Sequence, residues 1–245
     1  MIKANDPGLK SWVDVTADSD FPIQNLPFGV FDPGDGPRIG VAIGEKVLDL
    51  RFLAMNGHLN DTGIDLEALL QPTLNAFAAQ GRTASRAVRN RVSILLSDDN
   101  PELRDNAEDR AAALHARADV TMCMPVQVGD YTDFYSSIDH ATNVGTMFRD
   151  PNNALLPNWK HIPVGYHGRA SSIILSGTDF HRPKGQTRPD AEKPPVYGPC
   201  RLLDFELEMA FIVGKPTALG ETVSAANAED HIFGMVIFND STGLT

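Results

Sequence analysis

The sequence predicts an α+β protein, mainly β, built in two parts, and three observations carry that expectation. Strand-like apolar runs stand near the N-terminus, helical spacing follows them, and beyond about Val120 short apolar runs alternate with glycine, proline and serine. With 245 residues and 42% apolar content, the chain can form one large domain or two modest ones around a proper core.

The first part, residues 1–120, opens with "FGVF" at Phe28 to Phe31, then "RIGVAIG" and "KVLDL". The last two are joined through Gly44 and Glu45, which reads as a hairpin, so a small β module is expected here. Next, "DLEALLQPTLNAFAAQG" sets Leu66, Leu69, Leu70, Leu74 and Phe77 at helical spacing, with Asp65 as cap, Pro72 as break and Gly81 as stop. The arginines of "RTASRAVRNRVSILLS" read as a solvated helix face rather than an anion site. Further on, Asn100 caps a helix that has Pro101 at its first position.

The second part, residues 121–245, reads as mostly β with few helical patterns. Its segment from His181 to Cys200 holds five prolines and reads as a long surface loop. "HIFGMVIFND" reads as an apolar strand that ends in Asp240. There are no repeats and no low-complexity tract.

The charge balance narrows the partners. With 21 basic against 32 acidic residues the net charge is −11, which argues against nucleic acid and against an anionic membrane surface while leaving cations open. No apolar run approaches the roughly 20 residues of a membrane span, and "MIKANDPGLKSW" lacks a secretory pattern, so a cytoplasmic protein is expected. Cys123 and Cys200 lack a C-x-x-C spacing and are expected as reduced, structural thiols.

The most telling stretch is "CRLLDFELEMAFIVG", Cys200 to Gly214, an apolar strand that carries Glu206 and Glu208 in its middle. Positions two apart on a strand share a face, so the two carboxylates point the same way. Two readings stand side by side: an edge strand with a wet outer face, or a cation that neutralises the pair. Carboxylates converging from Glu206, Glu208, Asp133 and Asp240 would suit a hard ion such as Mg²⁺ or Ca²⁺. His140 follows Asp133 closely enough to share its pocket and reads either as a structural hydrogen-bonder or as a base. Arg149, Tyr166 and His167 lie nearby; an arginine fork suits a substrate carboxylate, and a structural ion pair equally fits the spacing.

Four strings, "DYTDFYSSIDHATNVGTMFR", "LPNWKHIPVGYHGRASS", "KPPVYGPCRLLDFELEMAFIVG" and "HIFGMVIFND", closely resemble the fumarylacetoacetase family, hydrolases that end tyrosine and phenylalanine breakdown. The resemblance runs from about Gly129 to Asp240, and "FPIQNLPFGVF" is similar to the family's start. It implies a small SH3-like β-barrel with helices, then a mixed β-roll, and a homodimer. It also implies metal ligands at Asp133, Glu206, Glu208 and Asp240, with Ca²⁺ or Mg²⁺ as the ion. His140 is implied as general base, and Tyr135, Arg149 and Tyr166 as contacts to a small diketo acid. The reaction implied is hydrolysis of a carbon–carbon bond in 4-fumarylacetoacetate, giving fumarate and acetoacetate.

After Asp240 the family continues with a tryptophan-serine-alanine-arginine run and roughly a further domain's worth of sheet, whereas this chain reads "NDSTGLT" and stops. The lysine and glutamine of the family's oxyanion site, and the glutamate that orients its histidine, have no counterpart. The catalytic domain is therefore expected to be incomplete and the chain as written to have little hydrolase activity. Two other readings stay open: another diketone hydrolase or decarboxylase of the same superfamily, which the histidine and "GYHGR" disfavour, and a fragment that acts as a binding or dimerisation module.

Overall fold

The computed structural model describes residues 3–188 and 190–244. These form two compact units, one made of the described residues up to Val126 together with those from Gly177 onward, the other of Gln127–Ser176. Both helices and antiparallel strands are present, as expected of a mixed fold.

In the larger unit, β1 (Phe28–Asp32), β2 (Arg38–Ile43) and β3 (Lys46–Asp49) form the predicted β module. The β2–β3 hairpin closes through Gly44 and Glu45, with Ile43 opposite Lys46. Gly44 has φ +50°, and a Cβ there would lie 2.6 Å from the Asp14 carbonyl oxygen, so the turn requires glycine. Two distant strands complete the sheet. They are β4 (Leu114–Ala116) beside β3 and β5 (Thr121–Cys123) beside β1, in the order β4-β3-β2-β1-β5.

Helices lie against this sheet. Asp49 is fully buried and caps α1 (Leu50–Met55): its Oδ1 accepts the Phe52 N–H at 3.0 Å, and its Oδ2 accepts from Arg38 Nη1 at 2.9 Å. The buried charge is thus paired and hydrogen-bonded, which offsets its desolvation. Asp65 caps a short 3₁₀ turn, Leu66–Leu70, and after Pro72 the chain resumes as α2 (Asn75–Ala79). Gly81, at φ +83°, opens α3 (Gly81–Leu96). On α3 the buried Val88, Val92, Leu95 and Leu96 keep the i, i+4, i+7, i+8 spacing of one apolar face. They meet Leu48, Leu53 and Leu69 in one core. Fully burying each such side chain contributes about 1.5–3 kcal/mol.

The arginines of α3 form the expected solvated face only in part: Arg86 is exposed, but the others have partners. Arg82 pairs with Glu229, Arg89 donates to Asn5 and to the Gln24 carbonyl, and Arg91 holds the His58 carbonyl and Glu102. Charge periodicity marks a polar face but does not reveal which carboxylates the fold brings to it.

Asn100 caps α4 (Pro101–Arg104) with Pro101 in its first turn, as predicted, and Asn106 caps α5 (Ala107–Ala113). Glu102 on α4 and Asp109 on α5 each lie 3.0 Å from a ring nitrogen of the buried His58. Burial opposes ionisation of Glu102, but hydrogen bonds from His58 and Arg91 outweigh it and hold the carboxyl below its ordinary range. A carboxyl lowered on folding adds stability that is fully present above its unfolded value of about 4.3 and is lost as pH falls through the folded one. Glu102→Gln is therefore expected to lower the melting temperature at neutral pH, with the gap to wild type closing as pH drops below about 4.3. Thermal melts from pH 7 to pH 3 check this, and a gap that does not change with pH would refute it.

In the smaller unit, β6 (Thr132–Phe134) pairs antiparallel with β7 (Gly165–His167), and α6 (Ile138–Phe148) lies between them in sequence. This helix departs from the expectation of few helical patterns beyond Val120. Thr142, Val144, Gly145 and Thr146 are poor helix formers that mask the signal, and Ser137, whose hydroxyl accepts the His140 N–H, supplies the cap.

Back in the larger unit, the expected surface loop from His181 to Cys200 contains a hairpin instead. In it β8 (Lys184–Thr187) pairs with β9 (Val196–Pro199). Pro199 sits at the strand end, where a missing N–H is tolerated, and Pro189 lies outside the described residues. Beyond it, β10 (Leu202–Val213) and β11 (Ile232–Leu244) make a long antiparallel ribbon. Phe233 of β11 packs on Phe77 and Phe28, with ring centroids 5.6 and 5.9 Å away, and so ties the ribbon to the core of this unit. Among the described residues no helix is long and apolar enough to cross a membrane, and both cysteines are thiols.

Candidate functional site

β10 is the strand the sequence predicts, but its faces are used differently from what its apolar run suggests. Phe205, Leu207, Met209 and Phe211 point to solvent, with Leu207 79% exposed. Glu206 and Glu208 lie on the opposite, more covered side. Both carboxylates are half-buried, on the less exposed face of an edge strand. Across the ladder Glu206 is opposite Asp240, and Glu208 is opposite Phe238.

Asp240 is not at a strand tip, because β11 runs on beyond it. A carboxylate oxygen of Asp240 and one of Glu208 come within 4.8 Å of each other. Glu206 Oε1 accepts from Thr242 Oγ1 at 2.9 Å. The ribbon thus gathers three of the four expected ligands on one side, an all-oxygen donor set of the kind hard divalent cations take.

Asp133, the fourth, is on β6 of the smaller unit, half-buried and opposite Tyr166 of β7. The close β6–β7 approach needs Gly165, where a Cβ would lie 2.8 Å from the Asp133 carbonyl oxygen. Tyr135 follows β6 and donates its N–H to the Val164 carbonyl at 2.8 Å. Its ring meets that of His140, in the first turn of α6, edge to face at 5.3 Å. Arg149, just past the end of α6, donates from Nη1 to the Ala154 carbonyl at 2.8 Å.

Tyr135 and Arg149 line one pocket of about 280 Å³, whose apolar wall includes Leu155, Leu156, Trp159 and Val164. The Trp159 indole nitrogen is buried without a hydrogen-bond partner among the described residues. An arginine fork can hold a carboxylate, and an imidazole beside a phenol can accept a proton, so the unit has the parts for anion binding and acid–base work. In the sequence, the signal for the "LLPNWK" wall is a tryptophan just after an apolar pair and a proline.

Two family models match the chain, Fumarylacetoacetase N-terminal over residues 24–125 and Fumarylacetoacetate (FAA) hydrolase C-terminal over residues 131–244. The chain belongs to the fumarylacetoacetase family. Among the curated relatives, a fumarylacetoacetase of Homo sapiens is 55% identical over 236 residues, covering 94% of this chain and 55% of the human protein. One of Caenorhabditis elegans is 56% identical over 236 residues, with 95% and 56% covered. One of Arabidopsis thaliana is 49% identical over 235 residues, with the same shares. The chain spans about half the length of the curated fumarylacetoacetases it matches. All eight expected site residues fall within the second matched region.

Proposed function

We propose that this chain carries part of a metal-dependent fumarylacetoacetase, which hydrolyses a carbon–carbon bond of 4-fumarylacetoacetate to fumarate and acetoacetate. In this reading residues up to about Val120 form an SH3-like barrel with helices, the rest belongs to a β-roll, and the protein acts as a homodimer. The observation that carries the reading is a pocket lined by Tyr135 and Arg149, with the His140 ring against that of Tyr135, in a chain of this family.

Asp133, Glu206, Glu208 and Asp240 would hold Ca²⁺ or Mg²⁺, and the fit rests on their all-carboxylate chemistry and on the nearness of Glu208 and Asp240. When bound, the ion supplies a Lewis acid that polarises a carbonyl. His140 takes the proton of a water at an imidazole nitrogen, hydroxide adds to the carbonyl carbon, and collapse of the adduct breaks the carbon–carbon bond while the imidazolium gives its proton to the leaving acetoacetate carbon. Arg149 binds a substrate carboxylate through paired N–H groups, and the Tyr135 and Tyr166 hydroxyls orient the substrate. Leu155, Leu156 and Val164 limit water at the pocket wall.

A second reading, a binding or dimerisation module, is favoured by the solvent-facing apolar side of β10 and β11, which shows Phe205, Leu207, Phe211, Met235 and Ile237. The two separate when a protein of full family length carrying this sequence is given fumarylacetoacetate and Mg²⁺. Equal amounts of fumarate and acetoacetate are the expected products. Release of carbon dioxide would point to a decarboxylase, and no turnover would leave the module.

A further inference from the structure

We infer that Gly145 is a positioning residue for Arg149, an inference that rests on the reading of Arg149 as a substrate contact. Gly145 is buried inside the 11-residue helix α6, where glycine is the least favourable residue after proline. Its absent side chain has a use. A Cβ there would stand 2.2 Å from the Ala154 carbonyl oxygen and 2.8 Å from the carbonyl carbon. Both are backbone atoms, so they cannot swing aside as a flexible side chain would, and any larger residue must push the 150–154 segment off the helix.

The carbonyl that settles onto Gly145 is the one that accepts from Arg149 Nη1 at 2.8 Å. Gly145 also accepts the Arg149 backbone N–H at 2.9 Å, so it fixes both ends of the arginine: the main chain directly, the guanidinium through Ala154. The segment arrives there by a turn that Asp150 builds, its Oδ1 accepting the Asn152 N–H at 2.9 Å and its carbonyl accepting the Asn153 N–H at 2.8 Å. Ala154 is 5% exposed and lines the same pocket as Arg149. A two-pronged hydrogen bond to a carboxylate depends on the orientation of the guanidinium plane, and Gly145 sets that orientation by letting the acceptor approach.

Fumarate binding to the purified chain, measured by calorimetry, tests this together with nitrogen NMR of the Arg149 side chain. Gly145→Ala is expected to weaken fumarate binding at least about tenfold and to move the Arg149 signals, because the paired hydrogen bonds lose their geometry. In an Arg149→Gln background the same change is expected to cost nothing further, since residues that act through one another are not additive. An equal cost in both backgrounds, or no cost in either, would overturn the inference, because a packing role alone predicts additivity.

If Gly145→Ala does not fold, Asp150→Ala loosens the same turn without touching α6 and is expected to show the same dependence on Arg149. Fumarate binding unchanged in Asp150→Ala but lost in Arg149→Gln would again overturn the inference. Should Arg149→Gln itself leave fumarate binding intact, it is the substrate-contact reading that fails. The Arg149 signals then decide the positioning claim separately: moved by Gly145→Ala they support it, unmoved they end it.

Discussion

Replacing His140 with alanine is expected to lower the turnover of fumarylacetoacetate by about a hundredfold or more, with substrate binding largely kept, as loss of a general base does. The measurement belongs in a protein of full family length that carries this sequence. The expectation stands on the position of His140 in the first turn of α6, held by the Ser137 cap, with its ring 5.3 Å from that of Tyr135 at the pocket. Because Arg149 and the apolar wall are untouched, the loss should fall on kcat and leave KM within a small factor. A variant with near-normal kcat would remove His140 from the chemistry.

Simultaneous replacement of Glu206 and Glu208 by glutamine is expected to abolish divalent-ion binding, read by calorimetry with Ca²⁺ and with Mg²⁺. The amides match the carboxylates in shape, so β10 should keep its ladder while the site loses two negative charges. Carboxylates as close as those of Glu208 and Asp240 repel each other unless a cation or a proton lies between them. Removing the charge therefore removes the reason an ion would enter. Unchanged ion affinity in the double variant would show that these glutamates are not ligands. A far-ultraviolet spectrum that keeps its strand signal separates loss of binding from loss of fold.

What the sequence disclosed was local. The Gly44–Glu45 hairpin, the Asn100–Pro101 helix start and the long strand around Glu206 each depend on neighbours within a few positions, and each was legible. The pairing of β1 with β5 joins residues about ninety positions apart, and nothing in either short segment names its partner. The partners of the α3 arginines were hidden for the same reason. Helix α6 was missed because β-branched residues and Gly145 weaken its pattern, and the β8–β9 hairpin because prolines speak for loops. At the site, the shared face of Glu206 and Glu208 followed from strand periodicity alone. The place of Asp240 opposite Glu206 required the ribbon's register; His140 and Arg149 stood out by residue type with alternatives open, and Tyr135 was singled out only by the family resemblance.

That register has a consequence for the acidic face. Side chains alternate on both strands, so sliding β11 by a single residue would turn Asp240 toward the side of Phe205 and Leu207 and turn Ile237 toward the glutamates. Such a slip would set the Asp240 carboxylate opposite Phe205 or Leu207 and undo its pairing with Glu206. The register therefore decides which side chains of β11 share the face of Glu206 and Glu208, where Asp240 and Phe238 now stand opposite them. A one-residue deletion in the segment joining the strands can be absorbed by the loop, whereas the same deletion between Phe238 and Asp240 would invert the chemistry of everything that follows it on the strand.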